Sequence, residues 1–273
     1  MSAAVMKPAV VSKPVAIKPV VIKLSGAAVE DAKVIADLMQ AMAELHLQQP
    51  VVLVHGGGKQ VDQHLQQWQL PIVKKDGLRV SPPEQMPIIT AVLAGQVNKT
   101  LVAAAKQAGL NAVGLSLADG DTAICSPHPD AALGAVGTVK PGQATVLQSL
   151  LNAGALVIVS SIAVDAGGQL RNINADDAAV AIAAAVNADH LLLLSDVAGV
   201  RLADGSYATT LSASEIQQLI QDGTISGGMI AKVRAALDAA ATLLKPVTIA
   251  SFFDPTKLRR LRSDARFGTT VRL

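Results

Sequence analysis

The chain has very few aromatic residues: three Phe, one Tyr and one Trp among 273 residues. Proteins that bind single-stranded nucleic acid usually stack the bases on exposed aromatic rings, so we do not expect such a partner. The chain also has no excess of either charge, because 23 Lys and Arg residues stand against 21 Asp and Glu residues. The resulting net charge of +2 does not favour a polyanionic partner.

Cysteine and long apolar runs are scarce as well. The single cysteine, Cys125, excludes an internal disulfide and a cysteine-rich zinc site, and it fits a reducing cytosol. The mean hydropathy of +0.41 is high for a soluble protein. The two most apolar stretches, residues 178–186 and 191–194, are nevertheless much shorter than the roughly 18 to 20 residues of a spanning helix. We therefore expect a soluble, cytoplasmic chain with no membrane partner.

The first 19 residues combine three lysines with three prolines and contain no continuous apolar segment. This pattern is not that of a secretory signal peptide. We expect residues 1–19 to form a flexible Pro/Lys-rich tail, with the folded domain beginning at about residue 20.

Short β-branched runs alternate with alanine-rich helical segments along residues 20–273. This alternation predicts an α/β fold in which helices cover both faces of a largely parallel sheet, a three-layer αβα sandwich. No linker interrupts it, so we expect one domain whose two lobes share a continuous sheet and divide near residue 170. Strands are predicted at residues 20–24, 51–54, 112–115, 156–159, 190–194 and 247–250. Helices are predicted at residues 30–47, 59–68, 82–107, 143–153, 176–186, 213–221 and 229–244, with a hairpin at 72–80 and with Ser81 and Ser212 as N-caps.

Glycines follow a predicted strand or precede a predicted helix at three places. Gly26 follows the first strand, Gly56 to Gly58 follow the second, and Gly227-Gly228 precede the last helix. Glycine lets backbone N–H groups approach an anion, and a helix N-terminus adds a partial positive charge. Any one of these segments could be an ordinary turn, but together they favour phosphate binding. The P-loop and G-x-G-x-x-G signatures are absent, so a nucleotide would bind without them.

Several polar residues near these turns have two interpretations. Lys23 lies in an apolar strand. It is either at an edge-strand or solvent-facing position, or its ammonium is aimed at phosphate oxygens beyond the strand's carboxyl end. Lys232 is either a solvated helix lysine or a second such group. Arg79 is either a surface residue or a group that binds a carboxylate through two hydrogen bonds. Asn174 or Asp176 could cap the helix that follows.

The five histidines show no spacing typical of metal ligands, and no metal site is expected. His55 alone lies beside a glycine turn, and we interpret it as structural. No G-x-S-x-G segment is present, which disfavours a serine hydrolase.

Seven segments, taken in order, resemble the amino acid kinase family, and within it the branch that phosphorylates N-acetyl-L-glutamate. The resemblance covers residues 20–273 and implies a fold like that of carbamate kinase. It assigns N-acetylglutamate binding and dimerisation to an N-terminal lobe, about residues 20–170, and ATP binding to a C-terminal lobe, about 171–273. The segments are VIKLSG (21–26), VHGGG (54–58), GLRV (77–80), LAGQVNK (93–99), NINAD (172–176), LSDVAGV (194–200) and GGMIAK (227–232).

The resemblance also implies roles for individual residues. Lys23 and Lys232 would contact the transferring phosphoryl group, and Asp176 would hold both lysines. The substrate-binding residues that it implies are Gly56, Gly57, Arg79 and Asn172. The nucleotide-binding residues that it implies are Gly26, Asp196, Val197, Ala198, Gly199, Val200, Arg201, Thr224, Ile225 and Ser226.

The implied reaction is phosphorylation of the γ-carboxylate of N-acetyl-L-glutamate by ATP, with Mg²⁺ carried by the nucleotide, as the second step of arginine biosynthesis. The carboxylate is already ionised near pH 7, so no catalytic base is required. A kinase for an aminoadipate derivative and a non-catalytic amino-acid sensor are the alternatives. Ser25 departs from the glycine common in this branch. The prolines of residues 1–19 exclude the N-terminal helix of arginine-inhibited hexamers, so we expect a homodimer without arginine inhibition.

Overall fold

The computed structural model describes residues 17–261 and 267–273, without the side chains of residues 259 and 260. Residues 1–16, most of the expected tail, lie outside this range. The α-helices are α1 (Ala32–His46), α2 (Gly58–Gln67), α3 (Met86–Thr90), α4 (Asn98–Gln107), α5 (Thr145–Asn152), α6 (Ala175–Ala185), α7 (Ala213–Gln221) and α8 (Gly228–Leu243). Short 3-10 helices lie at Gly26–Glu30, Pro83–Gln85, Ala131–Leu133 and Pro255–Arg260, and a π-helical segment at Ala91–Val97 joins α3 to α4.

The strands are β1 (Val20–Leu24), β2 (Val51–His55), β3 (Lys74–Lys75), β4 (Leu78–Arg79), β5 (Ala112–Ser116), β6 (Ala123–Pro127), β7 (Gly137–Pro141), β8 (Leu156–Ser160), β9 (Ile162–Val164), β10 (Leu170–Asn172), β11 (His190–Ser195), β12 (Thr210–Ser212), β13 (Val247–Ser251) and β14 (Thr269–Arg272). Within the described residues, eight of these strands form one sheet, in the order β12-β14-β13-β11-β1-β2-β8-β5, and the other six form three separate pairs. The pairs of the large sheet are parallel except for β13 with β14.

The sheet has a hydrophobic core on each face, which is the predicted three-layer αβα architecture. Successive residues of β1 point to opposite faces: Val20 and Ile22 belong to the core with α1 and α4, and Val21 belongs to the core with α6 and α8. Helix α6 packs closely because its buried residues are mostly alanines. Within the large sheet, the four strands that precede residue 161 form one half and the four later strands form the other. The two halves meet where β1 pairs with β11.

One long apolar helical run lies almost at its predicted bounds, residues 82–107. The helical run over residues 83–107 has the length and hydropathy to cross a membrane, although the two stretches considered above did not include it. Its Ile89, Leu93, Val97 and Leu101 are buried in the core beside β1 and β2. Because the core helix of a globular protein passes the same length and hydropathy test, this finding is weak evidence for a membrane span.

The structure corrects the prediction that Ser81 caps this helix. The helical run begins at Pro83, and the Ser81 hydroxyl donates instead to the Arg79 carbonyl oxygen at 2.9 Å. Ser81 is fully buried, and its backbone pairs with Gly134, so its hydroxyl is not directed at the helix. The Ser212 cap is confirmed, with Glu215 completing a capping box.

Candidate active site

Two glycine turns lie against each other at the carboxyl edge of the sheet. Gly26 follows β1, and Gly57 follows the neighbouring strand β2. A Cβ atom added to Gly26 would lie 3.1 Å from the Gly57 Cα, and one added to Gly57 would lie 2.8 Å from Leu93 Cδ2. Close packing therefore disfavours a side chain at both positions. Gly57 precedes α2 without a side-chain cap, so the first N–H groups of α2 are available to an anion.

Arg79 is buried beside these glycines and is not a surface residue. Its Nη2 donates to the Gly58 carbonyl oxygen at 2.8 Å, and its Nη1 donates to Asp62 of α2. Asp62 also accepts from Lys74 Nζ at 3.2 Å. Asp62 thus holds the guanidinium next to the glycine turn, a role that the sequence analysis did not assign.

The ionisation of Asp62 is linked to these contacts. Partial burial acts to raise the pKa of Asp62, but the hydrogen bonds and positive charges of Arg79 and Lys74 outweigh it. The pKa therefore lies below its ordinary value. The carboxylate remains ionised at neutral pH and can hold both cations.

A cavity of about 240 Å³ brings together all four predicted substrate-binding residues: Gly56, Gly57, Arg79 and Asn172. Asn172 ends β10, and its Nδ2 donates to the Ser81 hydroxyl at 3.0 Å. Ser81, which was predicted to cap a helix, therefore holds the side chain of Asn172 instead. The cavity combines backbone N–H groups, an arginine and an amide, which suits an acid with several polar groups.

Lys23 lies in the middle of the sheet, so the interpretation as an edge residue is wrong. Strand β1 is paired with β2 on one side and with β11 on the other. The Lys23 ammonium lies 2.9 Å from Asp176 Oδ1, with its side chain 15% exposed. Asn174 caps α6 by accepting from the Asp176 N–H at 2.8 Å, which leaves the Asp176 carboxylate to pair with Lys23.

Lys232 is paired with Asp196 at 2.8 Å and not with Asp176. The implied arrangement in which Asp176 holds both lysines is therefore found for Lys23 alone. Asp196 follows β11 directly, so it meets the second turn of α8, which carries Lys232. The hydrogen bond from Lys232 lowers the pKa of Asp196, which keeps this pair ionic.

Lys23 and Lys232 line one cavity of about 470 Å³, together with Ser25, Asp176 and Asp196. This cavity and the arginine cavity share Gly77, Leu78 and Asn174 in their walls. The two cavities are therefore neighbouring parts of one cleft at the sheet edge. The Ser25 hydroxyl is buried and has no hydrogen-bond partner among the described residues, so it is available to a ligand oxygen.

Of the predicted nucleotide-binding residues, Asp196 lines the two-lysine cavity and the others do not. Val200 and Ile225 are buried in the core, so only their backbone could meet a ligand. At Gly199 the φ of +148° and the approach of Thr269 both disfavour a side chain. The other residues of this group are Gly26, which packs on Gly57, and Val197, Ala198, Arg201, Thr224 and Ser226, whose roles stay predictions.

The cleft combines two glycine turns with two paired lysines, and the sequence has no P-loop. A model of the Amino acid kinase family matches residues 18–251, and the chain belongs to that family.

Within this family, the chain is similar to curated relatives that are named acetylglutamate kinase. The chain is 48% identical over 254 residues to an acetylglutamate kinase of Vibrio campbellii, covering 92% of this chain and 95% of the relative. It is 46% identical over 255 residues to an acetylglutamate kinase of Serratia proteamaculans, covering 93% and 98%. In fold it is similar to carbamate kinase from Giardia lamblia bound to AMP-PNP, with a TM-score of 0.68, 21% identity and coverage of 94% and 99%.

The contacts of Asp62 predict how stability varies with pH. Because its pKa is lower in the folded chain, Asp62 stabilises the fold above its ordinary pKa of 3.8, and this contribution is lost as the pH falls through the lower folded value. Asp62→Asn should therefore unfold at lower urea concentration than the wild type at pH 7, with the difference shrinking below about pH 4. Asp37→Asn, at an exposed helix pair, is the control and should change little. If the difference in unfolding between Asp62→Asn and the wild type were the same at pH 7 and below about pH 4, Asp62 would not be the source of this pH dependence.

Proposed function

We propose that this protein phosphorylates the γ-carboxylate of N-acetyl-L-glutamate with ATP and forms N-acetyl-L-glutamyl 5-phosphate, the second step of arginine biosynthesis. The observation that carries the proposal is the cleft, in which an arginine and glycine cavity adjoins a cavity lined by two lysines. The relatives named acetylglutamate kinase support it, because they match the chain over nearly its whole length.

The chemistry of the reaction fits the residue types in the cleft. The attacking γ-carboxylate is ionised at neutral pH, so no side chain has to remove a proton. The obstacle is the approach of an anion to the negatively charged phosphates of ATP. Positioning and positive charge around the transferring group lower that barrier. Lys23 and Lys232 provide the charge, and the glycine turns provide N–H donors.

Each lysine has its own positioning carboxylate in this mechanism. Asp176 holds Lys23 and Asp196 holds Lys232, at 2.9 and 2.8 Å. Asp176 orients its lysine and does not act as a base, since the substrate has no proton to lose. Asp196 also begins the segment that we assign to the nucleotide.

The arginine cavity binds the acid in this proposal. Arg79 donates two hydrogen bonds to a carboxylate, and Asn172 and the N–H groups of Gly56 and Gly57 contact the other polar atoms. Three features of the cleft fit the phosphates of ATP. They are the Ser25 hydroxyl, which has no protein partner among the described residues, the close-packed glycines and the paired lysines. Mg²⁺ would be bound by those phosphates and would neutralise part of their charge. Among the described residues no cluster of three or more His, Cys, Asp or Glu side chains could hold a metal by itself.

The identity of the acid can be tested by trapping the acyl phosphate. Protein incubated with Mg-ATP, hydroxylamine and a panel of acids should give hydroxamate with N-acetylglutamate, because the cleft is proposed to bind that acid. Glutamate, N-acetylaspartate and an N-acylated aminoadipate are the matched comparisons. Preference for the aminoadipate derivative would assign a related kinase, and ATP binding without any hydroxamate would favour the amino-acid sensor.

The role of Lys232 can be separated from substrate binding. Lys232→Ala should lower kcat by about 100-fold or more while KM for the acid changes by less than about 3-fold, because the ammonium is proposed to act on the transferring phosphoryl group. Lys33→Ala, an exposed lysine of α1, is the control. A raised KM with unchanged kcat would refute the assignment.

The expected assembly is a cytoplasmic homodimer that arginine does not inhibit, with the N-terminal lobe at the interface. Sedimentation velocity should show one species of about twice the 27.9 kDa chain mass. Millimolar arginine should leave the rate of phosphoryl transfer unchanged. A hexamer, or inhibition by arginine, would contradict this part of the proposal.

A further inference from the structure

His55 and Asn98 form a buried hydrogen-bonded pair beneath the glycine turn, and the proposed reaction gives neither of them a role. His55 ends β2 and is fully buried, immediately before Gly56. Its Nδ1 lies 2.9 Å from the Gly56 carbonyl oxygen, and its Nε2 lies 3.1 Å from Asn98 Nδ2. Asn98 is also fully buried, at the point where the π-helical segment becomes α4.

The neighbours of Asn98 fix the orientation of its side-chain amide. Its Nδ2 lies 3.2 Å from the Leu115 carbonyl oxygen and 3.0 Å from the Ile158 carbonyl oxygen, and a carbonyl oxygen can only accept a hydrogen bond. Its Oδ1 accepts from Lys99 Nζ at 2.9 Å. A flipped amide would place Oδ1 against two carbonyl oxygens and its NH₂ group against an ammonium. The NH₂ group therefore faces His55.

This orientation determines which nitrogen of His55 carries the hydrogen. The Asn98 NH₂ group has two hydrogens for three neighbouring acceptors, so it shares one of them, and its nitrogen has no lone pair with which to accept. Nε2 therefore cannot donate to Asn98 and must present its lone pair, so the hydrogen of a neutral ring must be on Nδ1. The Gly56 carbonyl can only accept, which requires the same hydrogen on Nδ1. Burial lowers the pKa of His55 to about 4, and the positive charge of Lys99 acts in the same direction, so the ring is neutral near pH 7.

The hydrogen bond to the Gly56 carbonyl oxygen also fixes the direction of the N–H group of the next residue, Gly57. In a trans peptide the C=O of one residue and the N–H of the next point in opposite directions within one plane. The hydrogen bond from His55 to the Gly56 oxygen therefore sets the direction of the Gly57 N–H. The π-helical segment supports the same turn, because Leu93 and Val97 pack against Gly57. π-helical segments of this kind often occur at functional sites.

We propose that His55 is a positioning residue: held by Asn98 with its hydrogen on Nδ1, it orients the Gly56–Gly57 peptide so that the Gly57 N–H meets the reacting anion. This inference rests on the proposed function for the identity of that anion. The assignment of the ring hydrogen does not, because it follows from neighbouring protein atoms alone.

Two substitutions of His55 separate positioning from packing. In His55→Asn the side-chain amide lies where Nδ1 was and can still donate to the Gly56 oxygen. In His55→Gln the amide reaches the former Nε2 position and the donor at Nδ1 is lost, although the larger side chain fills more of the space. The positioning role predicts that His55→Asn keeps kcat within about 10-fold of wild type, whereas His55→Gln loses about 100-fold with a smaller change in KM.

The order of kcat in the two variants distinguishes a positioning role from a packing role. Thermal unfolding of both variants is measured in parallel. A packing role predicts the reverse order, since Gln leaves the smaller cavity. Activity of His55→Gln equal to or above that of His55→Asn would overturn the proposal.

A measurement on the wild type does not depend on whether the variants fold. Long-range ¹H–¹⁵N NMR correlations of labelled histidine should show His55 neutral with its hydrogen on Nδ1 between about pH 5.5 and 8, whereas an unperturbed histidine titrates in that range. A hydrogen on Nε2, or a doubly protonated ring, would overturn the proposal. If the wild type phosphorylated no acid, the proposed function would fail while this spectrum still decided the hydrogen-bond assignment.

Discussion

The parallel pairing of β1 with β2 and β11 is the constraint on which the cleft depends. Parallel neighbours end at the same edge of a sheet, so the segments that follow these strands must meet there. Gly26, the Gly56–Gly58 turn and Asp196 are such segments. The site thus combines residues from both halves of the sheet, and a shift in the register of any of these three strands would separate them.

Bringing these charged side chains together at the sheet edge removes part of their hydration, and ion pairs offset the free energy that this loss costs. A lysine in an interior strand loses much of its hydration, and the charge is tolerated because a carboxylate lies within hydrogen-bond distance. Lys23 and Arg79 each have such a partner, in Asp176 and Asp62. The partners hold the cations in fixed directions, which a site for phosphoryl transfer requires, since its donors must be in place before charge develops.

The sequence was sufficient to predict six of the eight strands of the large sheet, the glycine turns and the polar residues beside them, because these features are local. The order of the strands in the sheet and the partners of the charged side chains could not be predicted from the sequence. The pairing of Lys232 with Asp196 depends on where α8 crosses the sheet edge, and the Asp62–Arg79 pair depends on how the β3–β4 hairpin folds over α2. Asp62 does lie four residues after Gly58, one helical turn into α2, so its position near the turn could have been noticed. The short strands β12 and β14, with three and four residues, were missed because such segments carry little periodicity.

The scarcity of aromatic residues in the chain agrees with how this cleft is built. In the described part of the chain, no aromatic residue lines the arginine cavity or the two-lysine cavity. The walls depend on close contact between backbone segments, as where Gly26 meets Gly57, and a bulky ring would separate those segments. The same reasoning applies to α6, whose buried alanines bring Asp176 close enough to the sheet to reach Lys23. Small side chains therefore determine the distances in the site, and a few charged residues supply its chemistry.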